Sequence, residues 1–343
     1  MTVQANKRRL KIAIAATLLA LLGLFAHVLL HAVPSSEAVR LRNSLLILPA
    51  DAGAGEWTPE NAPSTFLSER RSVPEPIIAA AQAVVAGMPD SDLAKARALA
   101  SHLTTRVQDK GPIQSLDLGH TYRSIMEEGR GYCSDIVDAY MALTLAAGLP
   151  VRAWAFSFDG FGGHGHIVVE VFDRASQHWV MLDVFNNVMP LSSSSEAPMS
   201  AREFVAAFRS DESSVRFVPI GPGRPGYRYD DKLRDYYRWG IDEWYLWNGN
   251  NVVSRAANHP FVGWLADIAE PLGELAAIAL GDFPKIVPLK SSTNGPQVEH
   301  MLNLRSQLLW ITAVCVVLLV MLMFELVALL RRANRQHTSM QTQ

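Results

Sequence analysis

Cys133, His166 and Asp183 are of the types, and at the spacing, that thiol-based acyl chemistry requires. Cys133 follows Gly131 and Tyr132. It precedes Ile136, Val137, Tyr140, Met141, Leu143, Thr144 and Leu145, which recur at helical spacing until Gly148 and Pro150 close the pattern. The spacing predicts a helix beginning at Cys133 or Ser134. There, unpaired amides and the positive end of the helix dipole favour a thiolate, the form that attacks a carbonyl carbon. An imidazole beside it would serve as base and later as acid, and a carboxylate beyond the imidazole would fix its tautomer. His166 opens a β-branched run, Ile167 to Phe172, and Asp183 lies in the next run, His178 to Val184. The turn between them falls near residue 175, so an antiparallel hairpin would make the two cross-strand neighbours on one face.

Each member has a plainer alternative. Cys133 alone could be a buried structural thiol. His164 shares the stretch Gly162-Gly163-His164-Gly165-His166, but spacing to Glu170 favours His166 and leaves His164 as a loop residue lining the cleft. Two histidines could ligate zinc, yet no third ligand stands at convincing spacing, and neither a metal nor an organic cofactor is expected. Asp173 and Asp159 are alternatives to Asp183. Tyr132, His164 and Trp154 are expected to contact substrate, whereas Arg152 and Glu170 read as structural charges on the sheet. The backbone N–H of Cys133 offers one oxyanion donor, and a second is not identifiable.

The elements that must position these groups lie in a chain of 343 residues, long enough for a full core. Apolar residues are 49% and charged residues 19%, with a net charge of −2, so there is no electrostatic case for nucleic acid. Two apolar runs, Ile12–Val33 and Leu308–Leu330, each reach the roughly 20 residues that cross a bilayer. Lys7, Arg8, Arg9 and Lys11 precede the first, and Arg331, Arg332 and Arg335 follow the second, which predicts both ends cytoplasmic and the intervening chain outside. A cleaved signal peptide is the rival for the first run, although its length exceeds the ~7–15 residues usual for such segments. Glu325 in the second run is expected to snorkel toward the inner surface. Cys315 falls in that run too, so the outward domain holds a single thiol, Cys133, and no internal disulfide.

Residues 34–76 read as a Pro- and Ser-rich stalk with one strand candidate at Leu45–Leu48, and 77–220 as the catalytic domain. Two helices are predicted between Ile77 and Val107, then the cysteine helix, then strands at Val151–Phe158, Ile167–Phe172 and His178–Val184. Helices followed by consecutive strands indicate α+β. Residues 221–303 read as an aromatic-rich extension and tether. Its block from Tyr227 to Trp247 suits a satellite core, a stacking groove or an interfacial belt. Phe261–Leu280 is an apolar helical stretch that could lie on the bilayer, though Asp267, Glu270 and Glu274 oppose attraction to anionic lipid. Residues 1–11 and 331–343 are the cytoplasmic tails.

Gly131-Tyr132-Cys133, Ala147-Gly148-Leu149-Pro150-Val151-Arg152, His166 with Glu170-Val171, and Trp179 with Leu182-Asp183 together resemble the core of transglutaminase-like proteins. The resemblance extends from Leu93 to Asn187. It implies a papain-like α+β core between the two membrane helices, with Cys133 as nucleophile, His166 as base and Asp183 as orienter. Val168 stands where the family often has Trp, and Val184 where it often has Pro. The implied activity is a membrane-anchored, cysteine-dependent amide hydrolase or acyl transferase working through a thioester. Its substrate would be a peptide or protein amide, or a glycan-linked acyl group. It would sit in the inner membrane with its large domain in the periplasm, beside cell-envelope or polysaccharide assembly proteins. The alternative is a catalytically inactive module of the same fold acting in binding or assembly.

Overall fold

The computed structural model describes residues 2–32, 35–107, 111, 113, 117–223, 226–227, 229–257 and 259–341. Helix α1 (Thr2–Ala32) is followed by α2 (Ser35–Leu46), α3 (Glu75–Val85), α4 (Asp92–Thr104) and α5 (Leu118–Arg123), the last running into a π turn over Ser124–Glu128. Ser91 caps α4 by accepting the Ala94 N–H at 3.2 Å, and Asp117 caps α5 from Gly119 and His120. Helix α6 (Cys133–Ala146) is the centre of the domain. Its Ile136, Val137, Tyr140 and Leu143 share one buried cluster with Ile77, Leu99 and Leu103 of the preceding helices and with Ala153, Val169 and Val171 of the sheet.

Strands β1 (Val151–Ser157), β2 (Gly165–Asp173) and β3 (His178–Leu182) form an antiparallel meander. Next come β4 (Val188–Ser192), α7 (Ala201–Ser210), β5 (Val215–Pro219), α8 (Asp230–Gly240) and β6 (Trp244–Trp247). Helices α9 (Ser254–Ala257), α10 (Pro260–Ile268) and α11 (Glu270–Leu280), strand β7 (Ile286–Pro288) and helix α12 (Gly295–Gln341) complete the order. Among the described residues the main sheet has five strands in the order β3-β2-β1-β6-β7, all antiparallel, while β4 and β5 make a separate pair. Segregated helices and an antiparallel sheet, with α6 packed on one face and α7 and α8 on the other, make the α+β class expected from the sequence.

Three boundaries are corrected. The stretch expected to be a stalk is built into the domain. Leu46 and Ile47 are fully buried beside Ile286 and Phe161, and the strand candidate at Leu45–Leu48 is instead the end of α2 and a bridge to Ile286. Four apolar residues in a row do not distinguish a buried strand from a buried helix end. The stretch after residue 220 is likewise no appendage, since β6 and β7 complete the main sheet and Tyr237 and Trp244 lie inside the second core cluster. Strand β3 stops at Leu182 rather than Val184. Asp183 and Val188 exchange both backbone hydrogen bonds, at 2.9 and 3.1 Å, and so close a loop that takes the chain out of the ladder.

Helices α1 and α12 are long and apolar enough to cross a membrane, over Arg8–Leu30 and within Gly295–Arg331. They pack on one another. The Thr17 hydroxyl of α1 donates to the Glu325 carboxylate of α12 at 3.3 Å.

Candidate active site

Cys133 is the first residue of α6 and is partly exposed. Gly131, at φ 147°, makes the entry. A Cβ there would meet Ile136 at 3.3 Å and Ile125 at 3.4 Å in a backbone conformation that side chains rarely adopt. Asp135 accepts the Tyr132 N–H at 2.8 Å, fixing the first turn. Burial pushes the Asp135 carboxyl up to about 6.

His166 sits near the start of β2, where it is 4% exposed and close enough to Cys133 for the thiol to help raise its pKa. Its Nε2 lies 2.9 Å from Asp183 Oδ1, which leaves Nδ1 for the thiol. Val169 opposes Leu182 in the ladder, so Asp183 projects beside Val168 and reaches His166 diagonally rather than from directly opposite. Gly165 permits the close pairing that starts the strand, since a Cβ there would fall 2.0 Å from the Phe156 carbonyl oxygen.

Asp183 is fully buried and held by four donors. Its Oδ1 accepts from His166 and from the Asn186 backbone at 3.0 Å. Its Oδ2 accepts from Asn186 Nδ2 at 2.6 Å and from the Tyr237 hydroxyl at 2.6 Å. Burial alone would raise the Asp183 carboxyl, but the imidazole's charge and these hydrogen bonds outweigh it and hold the group below its ordinary value. For His166, burial opposes the charged ring. The charge and hydrogen bond of Asp183, with those of Cys133, overcome it and push the ring up to about 10. The arrangement therefore favours a protonated imidazole beside the Asp183 carboxylate.

Aromatic rings close the pocket around the imidazole. Phe156, Tyr236 and Phe185 stand 5.8, 5.6 and 5.9 Å from it, centre to centre. The Tyr236 hydroxyl donates to the Gly165 carbonyl at 2.7 Å, pinning α8 to the start of β2. Sequence reasoning does not single out Asn186, Tyr236 and Tyr237 as members of the site. Asn186 carries a faint signal, because Asp followed three residues later by Asn suits a side-chain-closed turn. The two tyrosines come from a helix far along the chain and carry none.

The remaining expected residues are placed differently. Tyr132 is 47% exposed at the entry to α6, beside the thiol. His164 pairs through Nδ1 with Asp159 at 2.9 Å and stacks on Phe158, so it organises the β1–β2 loop. Asp159 is thereby committed to that loop, where it also accepts from Ser157 at 2.6 Å. Asp173 bonds Ser176 in the β2–β3 turn. Trp154 is corrected as a substrate contact. It is wholly buried, and its indole N–H donates to Glu170 Oε2 at 2.5 Å. Alternation along β1 turns it into the core that contains Phe204 and Trp244. Glu170 also accepts Arg152 Nε at 2.6 Å and the Ala201 N–H at the start of α7 at 2.7 Å. Arg152 lies between the rings of Trp57 and Trp179, at 4.5 and 3.9 Å.

A cavity of about 240 Å³ opens beside the first turns of α6. Ser134, Asp138 and Met141 form one wall, and Ile167, Trp247 and Arg255 others. Across it Asp138 pairs with Arg255 and Arg42 with Glu274, while Asp135, also in its lining, accepts the Tyr132 N–H. Among the described residues no cluster of His, Cys, Asp and Glu is arranged to hold a metal.

Comparison with protein families matches residues 78–184 to the transglutaminase-like superfamily, and comparison with curated proteins returns no match. Among solved structures, a candidate protease from Parabacteroides distasonis is 11% identical, with a TM-score of 0.26. The match covers 42% of this chain and 26% of that one, and a TM-score so low carries no argument.

Proposed function

We propose, from the match of residues 78–184 to the transglutaminase-like superfamily, that the chain is a membrane-anchored, cysteine-dependent enzyme cleaving or transferring acyl groups through a thioester on Cys133. The observation that carries the proposal is a buried His166, close to the partly exposed Cys133 and bonded to a buried Asp183 held by four donors. With the thiol's proton carried by His166, the thiolate sulfur adds to an amide or ester carbonyl. Collapse of the tetrahedral intermediate breaks the C–N or C–O bond, and His166 protonates the leaving group. Water, an amine or a hydroxyl then attacks the thioester carbonyl, giving up its proton to His166 and restoring the thiol. Asp183 holds the ring so that Nδ1 faces sulfur throughout. The Cys133 backbone N–H is one donor for the oxyanion.

Hydrolysis of a peptide-type amide is the preferred outcome, because no second substrate cleft is needed for water. The charged flanks of α1 and α12 support a domain on the outer side of the cytoplasmic membrane. The test is a burst assay with p-nitrophenyl esters on the full chain, read by intact mass. A burst of one equivalent of nitrophenol with an acyl adduct on Cys133, absent in Cys133→Ser and strongly slowed in His166→Ala, is expected. Unacylated protein, or acylation indifferent to both changes, would contradict the proposal and favour an inactive binding module.

A further inference from the structure

Helices α10 and α11 pack as a hairpin with an apolar face open to solvent. Phe261, Trp264 and Ile268 are 58, 57 and 59% exposed, and Leu272, Leu275 and Leu280 are 41, 49 and 49% exposed. Phe261, Trp264 and Ile268 in α10, and Leu272 and Leu275 in α11, recur at intervals of three or four residues, so each set forms one stripe. The opposite positions, Val262 and Ala277, are buried in one cluster with Val298 and Met301 at the start of α12. The apolar run of α12 begins at Leu308, seven residues and about 10 Å of helix beyond Met301. Trp310, at that entry, is 71% exposed. Glu274, an acidic residue that argues in sequence against lipid contact, is tied to Arg42 of α2 at 3.3 Å. Asp267 remains exposed.

We infer that the α10–α11 hairpin lies on the outer leaflet as an interfacial anchor, with Phe261, Trp264, Ile268, Leu272 and Leu275 immersed among the headgroups and upper acyl chains of neutral lipid. The inference rests on the membrane-anchored reading above. A common cluster ties the hairpin to the base of the spanning helix, and that continuity selects the bilayer as its occupant. The exposed aromatics suit the polar–apolar boundary, and the acidic flank disfavours anionic lipid. With two spans and the hairpin, the domain is held at three points, which fixes the height of the Cys133 cleft above the membrane.

The full chain carrying Cys133→Ser and Cys315→Ser, labelled with an environment-sensitive fluorophore at Trp264→Cys or Leu275→Cys, is reconstituted in phosphatidylcholine vesicles. Nitroxides are placed near the acyl carbonyl or near the chain end. Val317→Cys in the apolar run and Asp90→Cys, far from it, report lipid and water. The expected result is blue-shifted emission at 264 and 275 with about twofold stronger quenching by the shallow nitroxide, as insertion by about 5–10 Å requires. Quenching at 317 with water-like emission at 264 and 275 overturns the hairpin inference and leaves the anchored reading intact. Blue-shifted emission at 264 and 275 without nitroxide quenching means that protein covers the face, and also overturns it. Absence of quenching at 317 itself overturns the anchored reading, and the inference with it.

Discussion

Asp183 is the residue on which the site's electrostatics turn, because its four donors leave the carboxylate no freedom except to face His166. Asp183→Asn keeps the shape but removes the charge that holds the imidazolium. Acylation rates are expected to fall by roughly 10²–10⁴-fold, the usual worth of positioned acid–base catalysis, as read by the nitrophenol burst. Tyr237→Phe deletes one hydrogen bond to a buried anion, worth about 1.5–3 kcal/mol, and a denaturant melt should show that loss without loss of fold. The pH dependence follows from the same pair. His166 is raised from 6.5 to about 10, so its stabilising share is full below about 6.5 and is lost as pH rises through about 10. Asp183 is lowered from 3.8, so its share is full above that value and is lost as pH falls below it. Thermal melts should therefore show an alkaline decline ending near pH 10 that His166→Ala abolishes. Cys133, His166 and Asp183 were legible as a group because Gly131, Gly165 and a turn mark the element ends on which they sit. Trp154 was misleading, since an aromatic in the strand that follows the cysteine helix does not reveal which face of the sheet it occupies until the register is known.

At the scale of elements, Arg152 and Glu170 join β1, β2 and α7, and both are essentially unexposed. Arg152→Ala would strand a buried carboxylate and should cost about 3–5 kcal/mol in a denaturant melt, whereas a paired apolar replacement of both should cost far less. The helix–helix–strand order that gives the α+β class was readable from periodicity, and so were the beginnings of the meander. The closure of the sheet was not. Strands β6 and β7 have four and three residues, too short to carry a pattern, and β6 pairs with β1 from some ninety positions away. The aromatic block owes its density to this closure: Tyr237 and Trp244 fill the core behind His166, and Tyr236 packs on the ring itself. A chain ending at residue 220 should accordingly fail to fold. Circular dichroism and solubility of that truncation test the point, and a soluble, cooperatively melting fragment would refute it.

For the whole molecule, the two apolar helices and their basic flanks were visible in composition alone, while the way they meet was not. Thr17 and Glu325 are 308 positions apart, and only packing of α1 on α12 brings them together. Replacing Thr17 by Val should loosen that pairing, with a modest fall in thermal stability in detergent and little change in the burst. The stretch after the first span is equally a matter of long-range contact. Arg40 and Ser36 of α2 hold Gly160 and Asp159 of the loop before His166, so α2 helps set the loop that leads into the site. The account as a whole stands on a thiol activated by its histidine. The most direct measurement is the alkylation rate of Cys133 by iodoacetamide across pH, in the full chain and in His166→Ala, with Cys315→Ser as common background. A free thiol loses about tenfold per pH unit below about 8.5. The paired thiol should hold its rate nearly level from pH 8 down to 6, and His166→Ala should restore the steep fall. A steep fall in both proteins, or a thiol closed to the reagent in both, would contradict the claim.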